Sequence, residues 1–330
     1  NATEYFAGGV FSEGVQAYDL ATEEPLFILE QASGKLIVAA FKNNLTALEW
    51  NQTSEVLVLD PMFGPAAVLA LDLFDQPCRG AWGMRALNPE VSKFAIACDG
   101  SDSLAIVTIP DDEASSPDEA VGQATGCSAT FPQAVSENWT TRFIAPDGAG
   151  GVVVSQSRID GAPRIWHVDG NCSLSGPAGS DLPPDLATVR SLREMVLLPT
   201  ETGVPYWLAA SGLPEPGLVV IRGGASPSVC GLVSGLDGAI TGSNDPYALA
   251  LHPDGVHLAV GAGPTINPEL SDGSGQVFWL TLDTSALDPG CEVAVTGVEE
   301  LSAGLFSTGD PTTWMRAPNL LEIRDLGALQ

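Results

Sequence analysis

The sequence lacks most of what would announce a chemistry. It has no C-x-x-C pair, no H-E-x-x-H, no G-x-S-x-G elbow and no glycine-rich phosphate loop. Zinc-knuckle, zincin, esterase-elbow and nucleotide-binding readings therefore all lose their motif. Histidine is scarce, with three residues in 330, and lysine equally so, at Lys35, Lys42 and Lys93. Aromatic residues make up only 7% of the chain. No run of 18 apolar residues occurs, so no membrane-spanning segment is expected. No stretch sustains a helical period either, and the helix content should be small.

What is present is acid, glycine and proline. Forty-one Asp and Glu against 13 Lys and Arg give a net charge of −28. Such a surface repels phosphate backbones and anionic lipid, which argues against nucleic acid as a partner. It keeps the chain soluble and attracts cations or basic partners. A hydrophobic share of 45% is ample for a core, and 36 Gly with 25 Pro implies many turns. At this length a single large all-β domain is as natural as two average ones. The chain begins at Asn1 rather than Met and shows no signal-peptide pattern, which reads as a processed mature chain or a trimmed one.

The turns are periodic. Asp245 to Val260 reads as an apolar strand, a Pro253-Asp254-Gly255 turn and a second apolar strand, a hairpin in which proline presets φ and glycine takes the positive-φ position. Related stretches lead through Pro89, Pro146, Pro199 and Pro318, and these prolines fall 57, 53, 54 and 65 residues apart. A third strand follows each hairpin, at Leu104 to Ile109, Pro163 to Val168, Leu218 to Ile221 and Gln276 to Leu282. A fourth, shorter segment then carries Cys127, Cys172, Cys230 or Cys291. Four antiparallel strands repeated every 50 to 60 residues predict propeller blades, six of them by length, with seven as the alternative.

The ends complete this reading as one domain spanning 1–330. Tyr5 to Val10, Gly14 to Leu20 and Pro25 to Glu30 are expected as strands two to four of the last blade, with Thr312 to Asp325 as its innermost strand. Lys35 to Phe41, Leu45 to Trp50, Glu55 to Leu59 and Ala66 to Leu73 would form the first complete blade. Closing a ring with both termini removes open sheet edges.

The Pro-Asp-Gly hairpins resemble those of the broad propeller group that includes WD40-like, YVTN and lactonase-type proteins. The Trp-Asp and Gly-His pairs of WD40 repeats are missing. That group contains lactonases, other hydrolases and pure binding scaffolds, so the resemblance implies a fold and leaves the activity to the site.

Eight residues before Pro146, Pro253 and Pro318 stand Asn138, Asp245 and Asp310, where inner strands of a propeller begin at the central channel. Three such oxygens could hold a hard cation such as Ca²⁺, and lactonase-type propellers are similar in placing a divalent metal there. Asp245-Pro246 and Asp310-Pro311 are equally ordinary turn starters. A glycan on Asn138 would keep it out of a channel. His252 and His257 flank one turn and could approach each other, but the sequence identifies no third ligand beside them. Trp82, Trp139 and Trp314 lie at inner-strand starts, as a ligand-stacking surface or as wedges between blades.

Five of the ten asparagines head N-x-[ST] sequons, namely Asn1, Asn44, Asn51, Asn138 and Asn171, several times the chance expectation of about one or two. Six cysteines permit disulfides, and an extracytoplasmic location (secreted, periplasmic or cell-surface) follows. Cys78 precedes an inner strand and Cys98 ends the strand returning beside it, which makes Cys78–Cys98 the expected bridge. The other four belong to outer strands that diverge toward the rim, where pairing among them is expected to be harder. With no catalytic motif, the favoured function is a non-enzymatic scaffold for a protein or glycan partner. The alternative is a metal-dependent hydrolase of lactonase type using Asn138, Asp245 and Asp310.

Overall fold

The computed structural model describes residues 3–9, 15–19, 25–26, 37–42, 55–60, 64–70, 78, 81–87, 93–98, 101–109, 117–132, 140–157, 162–176, 186, 189, 191–212, 216–224, 226–236, 240, 244–264, 276–301 and 318–325. These residues form strands almost throughout. The first are β1 (Thr3–Gly9), β2 (Val15–Asp19), β3 (Pro25–Leu26), β4 (Ile37–Lys42), β5 (Glu55–Asp60) and β6 (Gly64–Ala70). Then follow β7 (Ala81–Ala86), β8 (Lys93–Cys98), β9 (Ser103–Thr108) and β10 (Thr125–Thr130), with the short α1 (Pro117–Gly122) before β10. The third group is β11 (Thr140–Pro146), β12 (Val152–Ser157), β13 (Arg164–Val168) and β14 (Leu174–Ser175). The fourth is β15 (Leu192–Leu198), β16 (Tyr206–Ser211), β17 (Gly217–Arg222) and β18 (Ser228–Ser234). Last come β19 (Asn244–Leu251), β20 (His257–Pro264), β21 (Gln276–Asp283), β22 (Val293–Glu300) and β23 (Pro318–Asp325).

From β7 to β22 each set of four strands is an antiparallel meander in chain order. β7 to β10 and β11 to β14 make separate four-stranded sheets. β15 to β18 and β19 to β22 are two further meanders, joined at their outer edges into one eight-stranded sheet by a short parallel contact of Val233–Ser234 with Val293–Ala294. β23 pairs with β1 from Asp325 opposite Thr3, and β2 and β3 complete that sheet. The chain's two ends therefore share one sheet, and the fold is all-β with propeller-like meanders.

β4 pairs directly with β5, Ile37 opposite Leu59 and Lys42 opposite Glu55. The strand expected at Leu45 to Trp50 lies outside the described residues, and β4, β5 and β6 form a three-stranded sheet.

Strand alternation explains how the sheets stack. Successive side chains point to opposite faces, so Val153 enters one core while Val152 and Val154 enter another. Likewise Leu208 packs with Leu249, Leu258 and Leu280, while Trp207 and Ala209 pack back on Val153 and Ile165. β12 and β16 are buried along their whole length, on both faces of their sheets. Each fully buried Val, Leu or Ile contributes about 1.5–3 kcal/mol. The inner strands touch in succession, β4 with β7, β7 with β11, β11 with β15, β15 with β19 and β19 with β23.

All six cysteines are bridged. Cys78 joins Cys98 within one sheet, with Cα atoms 5.2 Å apart. The rim cysteines also pair, contrary to the expected divergence: Cys127 with Cys172 at 5.9 Å and Cys230 with Cys291 at 5.8 Å, each linking neighbouring meanders. The reason is local. Cys172 and Cys291 sit in turns with positive φ, 63° and 57°, just before the outer strands. These residues bend the chain back toward the preceding sheet. Gly231 permits the second approach, since a Cβ there would meet the Cys291 carbonyl oxygen at 2.2 Å. On the loop-entropy model the first bridge contributes about 3 kcal/mol and the wider two about 4 kcal/mol each.

Candidate functional site

The inner strands carry charge where the sequence suggested cation ligands. Asp245, at the start of β19, is fully buried. Its Oδ2 accepts a hydrogen bond from Arg193 Nη2 at 3.1 Å, and Arg193 Nη1 donates to the Pro246 carbonyl at 3.1 Å. The guanidinium lies 3.9 Å above the Tyr247 ring centre. Burial pushes the Asp245 carboxyl above the usual carboxylate range, against the pull of Arg193. Oδ1 of Asp245 has no hydrogen-bond partner. A second pair, Arg85 with Glu194, bridges β7 and β15 across the intervening β11. The sequence reading missed both arginines and Glu194.

Between the third and fourth meanders lies a cavity of about 600 Å³. Leu197, Pro199, Pro205 and Trp207 supply its apolar wall, and Asp147 and His167 its polar side. The Pro146-Asp147-Gly148 turn builds that polar side. Asp147 Oδ1 accepts from the backbone N–H groups of Ala149 at 2.7 Å and Gly151 at 2.9 Å, the side-chain capping that makes Asp a turn former. Its Oδ2 takes the Nε2–H of His167 at 2.8 Å. Burial raises the Asp147 carboxyl, but the bonds from His167, Ala149 and Gly151 outweigh it and hold the group below the ordinary range. Trp207 Nε1 donates to the Pro146 carbonyl at 2.9 Å and ties the turn to the next sheet.

Ser175 extends this row to a serine, a histidine and an aspartate, with Oγ 3.5 Å from His167 Nδ1. The same hydroxyl reaches the carbonyl of His167, its cross-strand partner, at 3.4 Å. Ser175 is not among the cavity's lining residues. A nucleophile needs substrate space and oxyanion donors beside it, and this serine has neither in the cavity. The row is better explained as an anchor for the turn.

The second Pro-Asp-Gly turn assembles three metal-ligating groups. His252, Asp254 and His257 bring one ligand atom each within 4.8 Å of one another. Asp254 Oδ2 lies 2.9 Å from His252 Nδ1 and 2.6 Å from His257 Nδ1. The third partner that the sequence failed to identify is thus the aspartate of the turn itself.

Of the residues read as cation ligands, only Asp245 is among those described; Asn138 and Asp310 lie outside them. Of the five sequon asparagines, Asn171 is exposed in the β13–β14 turn, and Asn1, Asn44, Asn51 and Asn138 lie outside the described residues. The same holds for Trp139, Trp314 and the side chain of Trp82.

The chain is similar in structure to a protein of unknown function from Bacteroides caccae, 11% identical over 98% of this chain and 99% of that one, with a TM-score of 0.55. A protein from Lactobacillus plantarum is 13% identical over 90% of this chain and 82% of that one, at 0.52. The β-propeller domain of Cps50 (Swd1) from Myceliophteria thermophila is 13% identical over 89% of this chain and 83% of that one, at 0.49. No family model and no curated protein sequence matches the chain. At such identities the likeness concerns the fold alone.

Proposed function

We propose that the protein is a non-enzymatic, extracytoplasmic binding scaffold, a single six-bladed β-propeller closed by strands from both termini. Three disulfides with no free cysteine among six support an oxidising compartment. The exposed Asn171 supports glycosylation. The observation that carries the binding role is the 600 Å³ cavity, within the size range of ligand sites. Its leucine and proline wall suits an apolar side chain. Asp147 at its polar side, within an acidic protein, suits a basic group beside that side chain. The partner we infer is therefore a protein segment that presents both, with a glycan as the other candidate.

Selection from a random peptide library tests this, with a glycan array in parallel. The expected result is enrichment of peptides pairing an apolar residue with Lys or Arg, lost in Ala149→Trp, which places an indole at the cavity mouth. A glycan signal lost in that variant would assign the cavity to a sugar. Failure of both screens, or binding unchanged by Ala149→Trp, overturns the proposal.

A second reading, the lactonase-type hydrolase with Ca²⁺ on Asn138, Asp245 and Asp310, draws support from the buried, unpartnered Oδ1 of Asp245. Arg193 weighs against it, because its guanidinium already neutralises that carboxylate and would repel a second cation. A Ca²⁺-dependent rise in Tm together with turnover of simple lactones would favour this reading over the first.

A further inference from the structure

The turn between β19 and β20 meets the requirements of a transition-metal site, and they come from the chain itself. His252 and His257 flank Pro253-Asp254-Gly255-Val256 and are held opposite each other by the bond from His252 N–H to the His257 carbonyl at 2.8 Å. Both imidazoles consequently rise on one side of the hairpin, and Asp254 Oδ2 sits between their Nδ1 atoms. Gly255, at φ 73°, closes the turn against Pro199 of the cavity wall, where a Cβ would come within 2.5 Å of that ring.

We propose that His252, Asp254 and His257 bind a single Zn²⁺ ion. Two imidazoles and a carboxylate are the donor set of zinc and neighbouring borderline metals, and not of Ca²⁺ or Mg²⁺, which prefer oxygen. Zinc bonds of about 2.0–2.1 Å in a tetrahedron set ligand atoms roughly 3.3 Å apart. The observed 2.9 Å and 2.6 Å separations need to open by only about half an ångström, without a change of fold. The side chains stand partly in solvent, so the ion would reach the site and keep water in its fourth position.

Second contacts already orient the ligands. Asp254 Oδ1 accepts from the N–H groups of Val256 at 2.8 Å and His257 at 3.0 Å, which fixes the carboxylate and leaves Oδ2 for the ion. Trp279 on β21 stacks on the His257 ring at 5.5 Å and meets the His252 ring edge-on at 5.8 Å, so neither imidazole turns freely.

One nitrogen faces incompatible demands. His252 Nδ1 lies 3.2 Å from the Asp254 N–H and 2.9 Å from Asp254 Oδ2. With a lone pair it serves the N–H and opposes the carboxylate; with a proton it does the reverse. A cation between Nδ1 and Oδ2 uses the lone pairs of both. Among the described residues this is the one group of three histidine, cysteine or acidic side chains with such convergence.

The test uses the full chain and its three histidines. Zn²⁺ titration followed by the histidine ring signals in NMR should shift two of the three, saturating at one ion per chain. His252→Gln and His257→Gln should each delete one shifting signal and weaken zinc binding by about tenfold or more in calorimetry. Ca²⁺ should produce neither effect, and far-UV circular dichroism should show both variants folded. Absence of ring shifts, equal movement of all three signals, or undiminished zinc affinity in both folded variants overturns the proposal. Should either glutamine variant unfold, Asp254→Asn is the substitute, and unchanged zinc affinity in it overturns the proposal equally.

Discussion

β19 begins near one aspartate and leads into another, and they live under opposite rules. Asp245 is fully buried, paired with Arg193 through one oxygen and with nothing through the other. Nine residues on, Asp254 stands 37% exposed in a turn and accepts from two backbone N–H groups and His257. Burial raises the first carboxyl. Desolvation also pushes on the second, but the hydrogen bonds from His257, Val256 N–H and His252 overcome it and hold the group low. Burial alone therefore does not set a carboxylate's behaviour in this fold; the number of donors aimed at it does.

The sharpest way to break the comparison is at the buried end. Arg193→Ala leaves Asp245 with neither oxygen paired and should cost about 3–5 kcal/mol in urea unfolding. The double variant Arg193→Met with Asp245→Leu removes both charges and should recover most of that loss, since uncharged replacements of buried pairs are often neutral. The sign with pH is distinctive. A carboxyl whose folded pKa is raised imposes a cost that is present above that pKa and relieved as pH falls through it. Arg193→Ala should therefore lose less stability at pH 4 than at pH 7, and an equal loss at both would contradict the role given to Asp245.

The turn at Asp147 stands between the two extremes, with a side chain 9% exposed and three donors on it. Asp147→Ala should cost about 2 kcal/mol. Its pH dependence runs opposite to that of Asp245. The folded pKa is lowered, so the stabilisation is complete above the ordinary carboxylate value near 3.9 and fades as pH falls below it. The wild type should lose more stability than Asp147→Ala on going from pH 5 to pH 2.

These contrasts show what was legible. Pro146-Asp147-Gly148 and Pro253-Asp254-Gly255 mark turns on local grounds, because an aspartate oxygen capping nearby N–H groups needs only adjacent residues. The meander order followed from the period of those turns. The partner of the second oxygen is a matter of register: His167 reaches Asp147 from 20 residues away, and Arg193 reaches Asp245 from a different meander, 52 residues away. Neither pairing has a local signal. The positive φ at Cys172 and Cys291, which lets the rim cysteines meet, is likewise invisible in residues that seldom adopt it.

The smallest effect is expected at the exposed turn, and it separates stability from binding. Asp254→Ala removes the acceptor of two backbone N–H groups and the carboxylate between two imidazoles. With more than a third of the side chain in water, solvent screens these interactions and replaces the lost acceptor. The cost at pH 7 should be below about 1 kcal/mol. The Asp254 carboxyl is lowered, so this small contribution too is present above the ordinary carboxylate range and lost as pH falls through the depressed value. Zinc changes the outcome. If the ion binds the folded turn, adding it should raise the unfolding free energy of the wild type and leave Asp254→Ala nearly unmoved. The difference between the two proteins should then grow with zinc concentration although it is slight without it. Urea titrations of both, with and without zinc, measure this directly, and a gap that stays constant across zinc concentrations would show Asp254 to be a turn former and nothing more.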